Sequence, residues 1–507
     1  MKLSFALPRK HFYDKRVWNR CNLIIDKIIN SPQTPLTTLF ESGSDTVGVW
    51  RFLKNEKFNH KIIMNGFYDS TKKLVNKMFK LRPDKEIYVI QDTSTIDLTD
   101  NIASIGLGYI TSHKAFWHLN KNKADPSKDN IKYMEDFKKF SHKGLYLHTS
   151  LACTTDGEPI GITYQDQIVR DFEKAGIRRD KSFRSIEEKE SFKWIDSVNE
   201  TLKLNLNQSI TFIADREADI FEVFNYDYTK VSEKQKIDFV IRASGKRQVS
   251  MVGSPTDTHS EKTYKLRELS QSITTLNQFK TIQNIPRTRT RDEKEVEMTI
   301  SYSPIRIKGK KIVKPSKLER VELGIPVHSK IEYQKDLELN VVIIENKEEN
   351  LEWILFTTKS VTNKKEALTI LDAYKKRWLI ERFHYTLKSG FKVEEMKYQD
   401  HRSLQKMIAI YSIAAMQILR LTMISRSDPD RSCTTIVEDD DWKPLYTTIH
   451  QTKALPKKPP TILEYTMMLA RLGGYLSWQK QLPPGVVVLW RGIARLHQIK
   501  KIYPVLV

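Results

Sequence analysis

Three features of the sequence predict an α/β fold with a ribonuclease-H-like sheet. Two apolar runs each end on an aspartate, a β-rich hairpin lies between them, and the elements follow the order strand, strand, strand, helix, strand, helix, strand. Helical regions are expected on either side of this core, and a β-rich insertion is expected within it.

In chain order, Asp14 to Ile29 places Val17, Cys21, Ile24, Ile25 and Ile28 at helical spacing, with Lys15, Arg16 and Arg20 elsewhere on the surface. A short helix follows at Asp45 to Lys54. It carries Trp50, Arg51 and Phe52, and its aromatic residues suit core packing while Arg51 is free to meet a phosphate or a base. Glu86 to Asp92 (EIYVIQD) reads as a strand ending in a carboxylate. Leu145 to Cys153 and Ile160 to Val169 form a hairpin around Thr155, Asp156, Gly157 and Glu158. A helix from Ser185 to Leu202 opens on a Ser185-x-x-Glu188 capping box. Ile210 to Asp215 (ITFIAD) is a second strand with a terminal acid, Glu217 to Phe224 is helical, and Phe239 to Ala243 is a further strand.

Residues 263 to 349 alternate apolar and polar positions, as at Val296, Met298 and Ile300 or Leu337, Leu339 and Val341, which predicts an inserted β domain. Its basic stretch, Lys308 to Lys317, suits a solvated loop or a nucleic-acid contact. A strand at Trp353 to Thr357 leads to one long helix from Asn363 to Gly390, and residues 425 to 461 read as polar, acidic and Pro-rich linkers. The domains expected are therefore 1–83, helical and DNA-binding; 84–244 with 350–400, the core; 245–349, the β insertion; and 401–507, helical.

Composition narrows the function. The 84 Lys and Arg against 62 Asp and Glu give a net charge of +22, and residues 1 to 83 alone hold 16 basic and 6 acidic side chains. Such an excess suits a polyanion partner, because neutralising phosphates releases condensed counterions. Three widely spaced cysteines, Cys21, Cys153 and Cys433, form neither a disulfide framework nor a zinc motif, which fits a cytoplasmic protein. The amino terminus lacks a secretory apolar region, and the apolar stretch Met407 to Ile424 includes Ser412, Gln417 and Arg420, so a buried helix is expected and no membrane partner. There is no phosphate-loop or nucleophile-elbow motif, so ATP dependence and serine acyl transfer are not expected. His113 and His118 lie five apart, the wrong spacing for one helical face, and no cysteine is near enough to complete a zinc site.

Asp92 and Asp215 would neighbour each other if their strands pair in one sheet, and oxygen ligands of that kind suit hard divalent ions. On a single helix, at about 100° per residue, Tyr374, Arg377, Glu381 and Lys388 fall within an arc of about 60°. The helix would bury Leu371, Trp378 and Phe383. Its stripe offers an acid for a metal and cations for phosphate oxygens, although an i, i+4 Arg377–Glu381 ion pair explains two of its members equally well. Asp97, Glu217 and Asp219 are alternative acids, less favoured by position.

These residues resemble a family. Tyr374-x2-Arg377-x3-Glu381-x6-Lys388, within YKKRWLIERFHYTLK, is similar to the YREK signature of bacterial cut-and-paste DDE transposases that excise their element through DNA hairpins. DREADI (215–220) and IQDTSTI resemble the family's second-acid and first-acid motifs. GVWRFLKN (48–55) resembles its amino-terminal DNA-binding segment, and LARLGGYL and LWRGIARL its carboxy-terminal dimerisation region.

The resemblance implies a retroviral-integrase-like catalytic core in which Asp92, Asp215 and Glu381 hold two Mg²⁺ or Mn²⁺ ions. It also implies that Tyr374, Arg377 and Lys388 grip backbone phosphates, and that Arg242 contacts the same DNA. By the same resemblance Trp353 stacks on a flipped base, which a strand-borne core tryptophan would also explain, and Arg20 and Arg51 recognise the terminal inverted repeat. The partners implied are double-stranded DNA, as transposon ends and target, and a second copy of the chain, each end being cut by the subunit that is not its main binder. Two other classes remain open: a structure-selective nuclease or resolvase on the same fold, and a non-catalytic DNA-binding inhibitor dimer.

Overall fold

The computed structural model describes residues 6–506 except 33–35, 37, 41, 83, 101–105, 112–129, 173–185, 234, 245–246, 253–262, 274–276, 286–291, 310, 313–331, 399 and 477–482. Ser185, His113, His118 and most of the basic stretch 308–317 lie outside the described residues. The chain divides into two units: Met1–Leu81 with Thr93–Gly176 and Leu379–Val507, and Arg82–Asp92 with Ile177–Trp378.

In the first unit, helix Lys15–Asn30 starts where the Asp14 carboxylate accepts from the Arg16 N–H, and it buries Cys21, Ile24, Ile25, Ile28 and Ile29. Helix Gly43–Lys54 is capped by Ser42 and buries Val49, Phe52 and Leu53. Its carboxy-terminal end is held by a buried lysine. Lys406 Nζ donates to the carbonyls of Leu53 at 2.6 Å and Asn55 at 2.8 Å, and Ser403 Oγ donates to Leu53 O. A cation there meets the negative end of the helix and satisfies carbonyls that have no partner within the helix. Burial pulls the Lys406 ammonium down to about 8, since the charged form loses hydration.

Helix His60–Met78 begins beside this lysine. His60 is largely buried at the positive end of its own helix, near Lys61 and Lys406, and burial together with these cations holds its pKa down to about 4. Because the folded value lies below the unfolded one, the neutral ring's contribution is complete above about pH 6.5 and is lost as pH falls towards 4. Over that range wild type should lose on the order of 2 kcal/mol relative to a His60→Phe variant. Urea midpoints that fall in parallel for the two proteins would refute this.

The hairpin of Lys143–Thr154 and Pro159–Ile168 is antiparallel, with Gly157 at φ 94° in its turn. Carboxy-terminal to it in the same unit, helix His401–Ser427 is the one helix among the described residues long and apolar enough to cross a membrane, and its most apolar window is 94% buried. Residues 425–461 are not all linker. Asp439–His450 is a helix, opened by a reciprocal cap between Glu438 and Asp441.

In the second unit, residues Ile87–Ile90 pair in parallel with Ile210–Ile213, and strand Ile210–Ala214 pairs in parallel with Ile237–Arg242. Leu351–Thr357 then pairs antiparallel with Ile237–Arg242, followed by Leu337–Asn346 and Lys294–Ile307, so the sheet is mixed. The alternation read at Val296, Met298 and Ile300 marks side chains that the second of these strands buries. The helix expected from Ser185 is an α-helix only over Lys193–Leu202, preceded by a 3-10 turn at Glu190–Phe192. Glu217–Phe224 is likewise split, into a 3-10 turn at Arg216–Ala218 and a short helix at Phe221–Asn225.

Candidate active site

Asp215 follows strand Ile210–Ala214 directly, as expected, and its side chain caps the next turn by accepting from the Glu217 N–H at 3.0 Å. Asp92 is placed differently. Its strand runs through to Asp97, so Asp92 lies mid-strand rather than at a strand end. The two carboxylates are near enough to oppose each other's ionisation. Burial raises the Asp215 pKa first and Asp92 raises it further, while the Glu217 N–H, Arg377 and Lys193 draw it back.

The expected single helix from Asn363 to Gly390 is broken. Asn363 does cap a helix at Lys364–Lys375, but a turn at Lys376 and Arg377 separates it from Trp378–Tyr385, and Thr386–Gly390 winds as a π-helix. The 60° stripe is therefore not one helical face. Tyr374 closes the first helix, Arg377 sits in the break, Glu381 is exposed in the first turn of the second helix, and Lys388 lies in the π turn. Leu371 and Phe383 are buried as expected. Trp378 is 40% exposed, contrary to expectation, because it begins a new helix beside the break.

Within the second unit the structure brings together Asp92, Asp215, Arg242, Trp353, Tyr374 and Arg377. The Tyr374 and Trp353 rings meet edge to face with centroids 5.3 Å apart, and the Arg377 guanidinium lies 5.8 Å from the Tyr374 ring. Arg242 donates to Glu352 O at 3.0 Å. Burial raises the Tyr374 pKa, with Arg377 and Arg242 opposing. Its hydroxyl is buried facing Arg242, and among the described residues no hydrogen bond of good geometry reaches it.

Glu381 and Lys388 belong to the first unit. There Lys388 Nζ donates to Thr95 O and pairs with Glu394, both at 2.9 Å. Arg20 bonds Asp45 at 2.7 Å, and Arg51 is exposed.

The alternative acids separate clearly. Asp219 is buried on Arg247 at 2.7 Å and accepts from the Ser244 N–H, so it is structural. Asp97 accepts from Thr99 and pairs with His142. Glu217 is exposed, 3.6 Å from Lys193. Lys193 itself escaped sequence reading: its side chain is only 10% exposed, between Glu190 and Glu217 and close enough to Asp215 to lower its pKa.

Among the described residues no three His, Cys, Asp or Glu side chains form a ready-made metal group. Asp92 and Asp215 nevertheless fit a hard divalent ion, since two carboxylates are held close against their own repulsion. Mg²⁺ commonly takes one or two carboxylates and completes its shell with water and substrate phosphates.

Residues 193–417 match the family model described as the transposase DDE domain, and residues 413–501 match that of the Tn5 transposase dimerisation domain. The first match implies a ribonuclease-H-like α/β core and DNA chemistry that depends on divalent metal; the second implies a homodimer.

Proposed function

We propose, for a chain whose two matched domains support a DNA transposase of the DDE family, that it excises its element through hairpin ends and joins the freed 3′-hydroxyls to target DNA. The observation that carries this reading is the pair Asp92 and Asp215, mutually repelling and partly buried, with Arg377 and Lys193 beside them. Glu381 is the third acid of the set. When bound by these carboxylates, two Mg²⁺ or Mn²⁺ ions supply activation of the attacking oxygen and neutralisation of charge at the scissile phosphate.

The chain's own residues do the rest. Tyr374, Arg377 and Lys388 hold phosphate oxygens, and the Tyr374 hydroxyl, buried beside Arg242, would donate to one of them. Arg242 stands by the same strand of DNA. Trp353, half-buried and T-shaped to the Tyr374 ring, stacks on the base displaced when the end bends into a hairpin. Arg20 and Arg51 bind the terminal repeat, the segment 1–83 is the end-binding domain, and 401–507 supplies the contacts that pair two ends in a synapse. The protein acts in the cytoplasm, on the bacterial nucleoid.

The test uses a duplex ending in the inverted repeat that flanks the coding region. With Mg²⁺ present, denaturing gels should show hairpinned ends of roughly doubled strand length, from both strands joined covalently. Nicks alone would replace this reading by a nuclease or resolvase. Binding without any strand cleavage, in Mg²⁺ or Mn²⁺, would leave an inhibitor dimer.

A further inference from the structure

Phe52, one of the two aromatic residues flanking Arg51, packs into the core. The other does not. Val47, Trp50, Arg51 and Lys54 recur at i, i+3, i+4 and i+7, so they form one stripe on helix Gly43–Lys54, opposite its buried face of Val49, Phe52 and Leu53. With Asn55 they line a shallow, open depression on the surface of the helix. Val47 is 47% exposed, Trp50 is partly exposed, and Arg51 and Lys54 are exposed. The stripe therefore mixes two large apolar surfaces with two cations and holds no acid.

The helix under this stripe is fixed at both ends. Arg20 grips Asp45 and lies so tight beneath Gly48 that a Cβ there would come within 2.7 Å of its guanidinium. At the other end Lys406 and Ser403 clamp the last turn, and the Asn55 side chain donates to the Tyr13 hydroxyl at 2.6 Å. A rigid helix of 12 residues, about 18 Å long, fits the major groove, which is about 12 Å wide. The basic excess of residues 1 to 83 selects a polyanion over an apolar protein partner.

We propose that Val47 and Trp50 are sequence-reading residues, laid against thymine methyl groups in the major groove of the DNA that this helix binds, while Arg51 and Lys54 hold phosphates. The proposal rests on the end-binding function proposed above and names which residues discriminate. Apolar contact is how a protein separates thymine from the other bases in that groove, whereas phosphate contacts carry no sequence information.

The experiment measures anisotropy of the full-length protein on two duplexes at several salt concentrations. One carries the inverted repeat flanking the coding region, and the other a shuffled sequence of equal composition. Trp50→Ala and Val47→Ser should weaken binding to the repeat at least about fivefold, leave the shuffled duplex within about twofold, and keep the salt slope. Trp50→Phe should retain most of the preference. Arg51→Ala and Lys54→Ala should weaken both duplexes alike and reduce the slope by about one each.

A repeat synthesised with deoxyuridine for thymidine should reproduce the Trp50→Ala loss on the wild-type protein, which tests the idea even if a variant misfolds. Equal binding of the deoxyuridine and thymidine repeats overturns the proposal, as does a Trp50→Ala effect that is equal on both duplexes or absent from both. The last outcome would leave the stripe to a protein partner. A wild type with no preference for the repeat would instead refute end binding itself.

Discussion

Asp215→Ala should abolish cleavage of the repeat-ended duplex, by a factor on the order of 10³ or more, while binding of the same duplex persists or tightens. Asp92→Ala and Glu381→Ala should behave alike. Removing a carboxylate near a scissile phosphate takes away both a metal ligand and a charge that repels DNA, so the two readouts move apart. A variant that was merely misfolded would lose both.

Stability adds a second test. The Asp215 pKa is raised by burial and by Asp92, so the folded state prefers its protonated form and its ionisation at neutral pH costs stability. That cost begins as pH rises through the ordinary carboxylate range. Asp215→Asn should therefore melt above wild type at pH 7 in chelator and lose that advantage as the pH is lowered. Mg²⁺ should raise the melting temperature of wild type more than that of the variant. Full cleavage by any one of the three alanine variants would remove that residue from the assignment, and a melting point for Asp215→Asn at or below wild type would contradict the charge argument.

Asp215 was legible because the apolar run ITFIA stops at it and DREAD cannot continue a strand. Asp92 was expected at a strand end, and its strand runs on past it. Thr93, Ser94 and Thr95 look like the end of a run, yet Thr is β-branched and suits a pleated surface, and pairing within the sheet carries the strand to Asp97. The break at Lys376 and Arg377 could not be read. Both are good helix formers with neither Gly nor Pro nearby, so the interruption is a tertiary effect that overrides propensity. It alters the meaning of the stripe: the spacing assumed one helical face, whereas separate turns present its members. Trp378 and Trp50 show the related limit that an aromatic residue at helical spacing does not reveal whether its face is covered. The helix Asp439–His450 was obscured by its own Pro444 and by three acids, which on a helical reading are first-turn residues suited to the positive end of the dipole.

Gly390→Ala should destabilise the first unit by about 1–3 kcal/mol or more. Gly390 closes the π turn that carries Lys388, and a Cβ there would fall 1.7 Å and 2.0 Å from two ring carbons of Trp490. That ring cannot swing aside, being 1% exposed and packed against Phe391 with centroids 4.3 Å apart. Trp490 lies within the matched dimerisation domain and Gly390 within the matched DDE domain, so the contact ties the segment following Glu381 to the helix Val486–Leu506. Gly43→Ala, with nothing within 4 Å of its added methyl, is the control and should leave stability unchanged. Urea unfolding followed by hydrogen exchange in 386–390 and 486–496 should show both segments losing protection together in Gly390→Ala. Trp490→Leu should partly relieve the clash, so that the double variant loses less than the sum of the two single losses. Strict additivity would mean that the two side chains do not meet, and the packing that joins residues 386–390 to the helix Val486–Leu506 would have to be sought elsewhere.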